Sequence, residues 1–111
     1  MDRLDVAGQR PAGAEARRAL FVSFREALRQ GALAIAWDNV AFVGPWGFRL
    51  DDVTVPVHLW HGSEDQMVPR SHGEWLAAHL PHATLKIYEG EGHLLPLRHW
   101  DEMLRTLTSA A

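Results

Sequence analysis

Val55-Pro56-Val57-His58-Leu59-Trp60-His61-Gly62-Ser63-Glu64-Asp65-Gln66-Met67-Val68-Pro69 opens as an apolar run and closes as a polar loop. Residues 55–60 are rich in β-formers, and Gly62 follows them, so they are expected to form a short buried strand. The next segment predicts a helix over 72–80. Ser71 and Glu74 have the S-x-x-E spacing of a capping box, and Pro81 stops the helix. Residues 84–88 read as a second strand, and Glu89 to His93 as a glycine-containing loop. A last helix is expected over 96–108, with Trp100, Met103, Leu104 and Leu107 along one face. Strand, helix, strand, helix implies an α/β arrangement: two parallel strands joined by a right-handed crossover helix, then a C-terminal helix. Ligands of open α/β sheets sit beyond the C-terminal strand ends. That topology puts Asp65 and His93 on one rim.

Upstream of the strand the pattern changes. Leu20, Phe24 and Leu28 recur every four residues with Phe21 beside them, which predicts a helix over 14–30 with Gly31 at its C-cap. Residues 32–43 are apolar without a clean period. Asp38 is expected to cap a short helix of one or two turns there. Gly44-Pro45-Trp46-Gly47 is a turn-rich connector. The expected organisation is a flexible segment at 1–13, a helical segment at 14–49 and an α/β portion at 50–111.

Bulk properties exclude several classes. The 111 residues carry 11 Lys and Arg against 14 Asp and Glu, a formal net charge of −3, and so lack the basic footprint of a nucleic-acid binder. Arg17, Arg18, Arg25 and Arg29 alternate with Glu15 and Glu26 as on a solvated helix face. With no cysteine there is neither a disulfide nor a thiolate nucleophile, which fits a cytoplasmic setting. Residues 1–13 lack the apolar run of a signal peptide, and no stretch is long enough to span a membrane.

The stretch from Val55 to Pro69 resembles the late strand and acid loop of α/β-hydrolases, where an apolar strand leads into H-G-x-x-D-x-x-V-P. Gly90-Glu91-Gly92-His93 resembles the histidine loop of that family, and Pro45-Trp46-Gly47-Phe48 the segment returning from its cap. The resemblance runs from about Gly44 to Thr108 and is weaker over 14–30, which it makes a cap-derived helix. It implies a partial α/β-hydrolase fold that acts on an ester or similar small acyl substrate with no cofactor. Asp65 is then the orienting acid and His93 the general base. The chemistry suits those residue types. Imidazole titrates near neutral pH, and a carboxylate on its other nitrogen fixes the tautomer and stabilises the imidazolium.

Taken singly, Asp65 also reads as a turn residue and His93 as an idle loop histidine. Glu64 and Glu91 are alternative acids. His58 and His61 have H-x-x-H spacing beside Asp65, but alternate strand residues point to opposite faces, which argues against a zinc site. His61 is expected in the turn that ends the strand. Trp46, Trp60, Trp75 and Trp100 read as core or interface anchors, with Trp37 and Trp46 as candidate walls of an acyl pocket. No G-x-S-x-G elbow occurs: none of Ser23, Ser63, Ser71 and Ser109 has a glycine both two residues before it and two residues after it. The expectation is therefore a C-terminal portion of such an enzyme, inactive alone. It would be a fragment or one half of a two-chain enzyme, and an unpaired strand edge would favour a homodimer. The alternative is a non-catalytic binding or oligomerisation module derived from the same fold.

Overall fold

In the computed structural model, residues 13–109 are described. The flexible segment expected at 1–13 lies, apart from Gly13, outside them. Along the chain run α1 (Ala14–Ala27), α2 (Leu33–Val43), a 3-10 turn (Leu50–Asp52), β1 (Val57–Gly62), α3 (Arg70–His79), β2 (Ala83–Tyr88) and α4 (Pro96–Ser109). β1 and β2 pair in parallel, Val57 opposite Ala83 through Gly62 opposite Tyr88, with α3 as the crossover. The chain is thus of α/β type, with the two-stranded parallel unit of a partial α/β-hydrolase fold. Among the described residues, each strand has one neighbour and one open edge.

β1 lies two residues later than the apolar run suggests. Pro56 has no N–H to give a ladder, so pairing starts at Val57, whose N–H donates to the His82 carbonyl at 2.9 Å. His61 is consequently a strand residue, 8% exposed, rather than a turn residue. β2 alternates as a half-covered strand should. Ala83, Leu85 and Ile87 point inward, and Thr84 and Lys86 outward.

The capping box does not form. α3 begins at Arg70, and Pro69 occupies the N-cap with no side-chain cap bond, so Ser71 is already inside the first turn. Glu74 instead accepts from Arg70 one turn earlier at 2.7 Å. The helix ends at His79, and the C-cap Leu80, which precedes Pro81, has an extended backbone.

α2 is a full helix of 11 residues, and Asp38 sits in its interior rather than at its cap. α1 stops at Ala27, three residues short of expectation. Gly31 lies in the connection to α2 with φ +96°, a left-handed conformation that costs glycine little. Neither helix contains a buried residue. The Phe21, Phe24 and Leu28 stripe faces outward, as do Trp37, Phe42 and Val43.

The core is small: Leu95 and Met103 are its buried apolar side chains, and His61 and Gly73 are buried as well. Of the face expected to seat α4, only Met103 is buried. Trp46, Trp75 and Trp100 are exposed, and Trp60 alone of the four expected anchors is partly covered. The Cα radius of gyration is 16.2 Å, against about 13 Å for a compact domain of similar length. The excess reflects apolar helices that project without a covering layer. No helix among the described residues is long and apolar enough to cross a membrane.

Candidate active site

Both loops that leave the C-terminal ends of the strands are stitched to each other. The Ser63 N–H donates to the Tyr88 carbonyl at 3.0 Å, and the Glu64 N–H to the Glu91 carbonyl at 2.9 Å. In return the Gly90 N–H donates to Ser63 Oγ at 2.9 Å. Gly90 has φ +75°, which lets the histidine loop turn back over β1. Gly62 permits the close approach. A Cβ there would lie 2.3 Å from the Glu91 carbonyl oxygen and 2.6 Å from that of Gly92.

This stitching brings Asp65 and His93 together. His93 Nδ1 lies 3.0 Å from Asp65 Oδ2. Since an ionised carboxylate only accepts, Nδ1 carries the proton and Nε2 is the basic nitrogen of the neutral ring. The other carboxylate oxygen, Oδ1, accepts from the backbone N–H groups of Met67 and Val68, both at 2.9 Å. Every strong bond on Asp65 thus stabilises its charged form. Burial pushes its carboxyl upward. The Val68 N–H, the His93 ring and the Met67 N–H outweigh that and hold it below its ordinary value of 3.8. The Asp65 side chain is 6% exposed and that of His93 39%. The acid is sheltered while the imidazole reaches solvent.

Of the alternative acids, one is engaged elsewhere and the other is exposed. Glu91 Oε1 accepts from Arg98 and His99, both at 3.3 Å, and Glu64 is exposed. His58 stacks on Trp60 at a ring separation of 5.6 Å, while His61 is buried beneath Gly73, so the H-x-x-H pair diverges. Among the described residues no group of three His, Asp or Glu side chains is placed to hold a metal ion. Trp37 and Trp46 do not share a pocket. Trp37 lines a hollow of about 510 Å³ with Glu26, Arg29 and Leu33, and Trp46 one of about 210 Å³ with His72, Trp75 and Leu76. Ser23 lies in α1, Ser71 in α3, Ser109 ends α4 and Ser63 serves the histidine loop, so none occupies a strand-to-helix elbow.

Reading the sequence alone missed the part played by His61. Its Nε2 lies 2.9 Å from the Val68 carbonyl, inside the acid loop.

Over 54 residues the chain is 44% identical to pimeloyl-(acyl-carrier protein) methyl ester esterase of Aromatoleum aromaticum. The match covers 49% of this chain and 22% of that enzyme, so the chain spans about a fifth of the length of the relative it matches. No family model and no solved structure matches. The identity supports a relationship to ester-cleaving α/β-hydrolases, in keeping with the strand–helix–strand unit.

Proposed function

We propose that this chain supplies the acid and base of an α/β-hydrolase triad that cleaves an ester, with Asp65 as the orienting carboxylate and His93 as the general base. One observation carries the reading: Asp65 is pinned on one oxygen by two backbone N–H groups and presents the other to His93 Nδ1 at 3.0 Å. An imidazole held this way has one tautomer, with Nε2 free to take a proton from a hydroxyl nucleophile. That hydroxyl attacks the ester carbonyl. His93 then returns the proton to the departing alcohol, and water releases the acid by the same route in reverse. Asp65 stays ionised throughout and balances the imidazolium. The named relative points to an acyl methyl ester as the substrate class.

The nucleophile and the oxyanion-binding amides come from outside these residues, so the chain alone is inactive, in a cytoplasmic setting. Residues 14–49 are a cap-derived segment and residues 50–111 the core portion. Two measurements test this. The purified chain hydrolyses p-nitrophenyl acetate no faster than His93→Ala. A chimera of the Aromatoleum enzyme, with residues of this chain replacing the matching segment, cleaves a methyl ester and loses that activity on His93→Ala. A folded but inactive chimera overturns the assignment, and so does His93-dependent turnover by the chain alone.

A second reading has its own support. The uncovered apolar residues of α1 and α2 fit a binding or oligomerisation module, for which a defined dimer with no role for His93 is the discriminating result.

A further inference from the structure

The geometry points to His61 as the residue that positions the acid: it clamps the loop whose backbone holds Asp65 toward His93. The inference deepens the proposed function and rests on Asp65 and His93 being acid and base.

A carbonyl oxygen only accepts, so His61 Nε2 carries a hydrogen and donates it to Val68 at 2.9 Å. The amide of the same residue, Val68, donates to Asp65 Oδ1 at 2.9 Å. Val68 is therefore held from both ends, its carbonyl by a strand side chain and its amide by the acid. The chain of bonds runs from His61 through Val68 and Asp65 to His93 without a gap. His61 is well suited to anchor it. It is 8% exposed, it is part of β1, and its main chain is paired with β2 at Ile87. Ser63 and Glu64 tie the start of the acid loop to the histidine loop, and the His61 bond to Val68 holds its far end, beyond the exposed Gln66 and Met67.

The ring is held in place from above by a glycine. A Cβ on Gly73 would lie 2.8 Å from His61 Nδ1 and 3.3 Å from its Cγ, so α3 can cross the imidazole at this depth only without a side chain there. The sequence thus places a histidine at 61 and a glycine at 73 for one purpose. A buried donor with one acceptor fixes a direction as well as a distance, and direction is what a loop carboxylate needs to meet an imidazole.

The test uses the whole chain and proton NMR. A histidine Nδ1–H bonded to a carboxylate gives a low-field resonance, and Asp65→Asn identifies it by abolishing it. His61→Phe keeps a ring but removes the donor. It is expected to lose or broaden that resonance and to speed exchange of the Val68 N–H about tenfold, while strand signals stay in place. His61→Gln, which restores a donor of similar reach, is expected to recover the resonance. Gly73→Ala displaces the ring without removing it and serves as the independent variant should His61→Phe unfold. It is expected to weaken the same two signals.

An unchanged resonance in folded His61→Phe overturns the inference, as does an unchanged one in Gly73→Ala. Absence of any Asp65-dependent resonance in the parent chain is a different result. It removes the acid–base reading itself, so the two failures are distinguishable.

Discussion

Gly62→Ala is the sharpest perturbation of the site, because its consequence follows from distances alone. The new methyl carbon would sit 2.3 Å from the Glu91 carbonyl oxygen and 2.6 Å from both the Glu91 carbonyl carbon and the Gly92 oxygen. Carbon–oxygen contacts become comfortable near ~3.5 Å, so the histidine loop must retreat by about 1.2 Å. All three obstructing atoms are backbone, and no rotamer change relieves them. The Asp65–His93 contact starts at 3.0 Å. A retreat of that size carries it to roughly 4 Å, beyond hydrogen-bonding range. The Glu64-to-Glu91 bond at 2.9 Å lies in the same path. Overpacking costs about 1–3 kcal/mol, and each lost hydrogen bond about 1 kcal/mol net. Replacing glycine returns about 0.4–1 kcal/mol through the unfolded state. The expected loss is about 2–5 kcal/mol, read from urea unfolding followed by tryptophan fluorescence, together with loss of the low-field histidine proton. Gly44→Ala is the control, because its nearest contact would be an ordinary 3.4 Å and its φ is negative. Equal midpoints for the two variants, with the histidine proton intact in Gly62→Ala, would refute the reasoning.

Acid unfolding should depend on Asp65. Its folded carboxyl titrates below 3.8, so its contribution is complete above that pH and is lost as pH falls through the lower folded value. Asp65→Asn is expected to be less stable near neutrality and to show a shallower acid limb; parallel limbs count against it. Met103→Ala removes one of the few buried apolar side chains and is expected to cost about 2 kcal/mol or more, seen as faster hydrogen exchange along α4. An unaltered exchange pattern contradicts the packing described. The uncovered α1 and α2 surfaces should make sedimentation depend on concentration, and Trp37→Lys with Phe42→Lys should reduce both association and dye binding. A monodisperse parent that binds no dye would dismiss this.

Different residues made different parts of the fold legible. β2 and α4 fall within about a residue of expectation because their patterns have a single reading: strict alternation from Ala83, and a proline at the first helical position of α4. β1 moved because hydropathy marks Val55 as strand while only Pro56 limits where hydrogen bonding can begin. The capping box failed for a related reason. S-x-x-E spacing indicates a helix start only when the serine lies outside the first turn, and Pro69 had already taken that place. α2 is longer than Asp38 as a cap implies, because an exposed helix interior tolerates aspartate at a modest cost. The tryptophans were read as anchors from their size, but sequence does not tell which faces of this chain find a partner. At the site, the meeting of Asp65 and His93 was legible from two loop motifs, whereas the contact made by His61 was not. Its role depends on a carbonyl seven residues away, which no spacing rule reports.

The Asp65–His93 contact is held in so open a chain because everything that aims it is local. Adjacent parallel strands set the separation of the two loops, and three backbone-involving bonds between those loops fix their tilt. The carboxylate is then oriented by amides two and three residues ahead of it in the same loop. None of these contacts draws on α1 or α2, and all lie between residues 57 and 93. Nucleophilic attack and oxyanion binding make the opposite demand, because they need a strand-to-helix elbow and amides from other parts of a larger sheet. With Asp65 and His93 in the roles proposed for them, a triad divides at this point: the proposed acid and base form one self-contained unit, and the nucleophile forms another. On this division, a chain with the first unit alone should keep the hydrogen-bonded pair while losing the reaction.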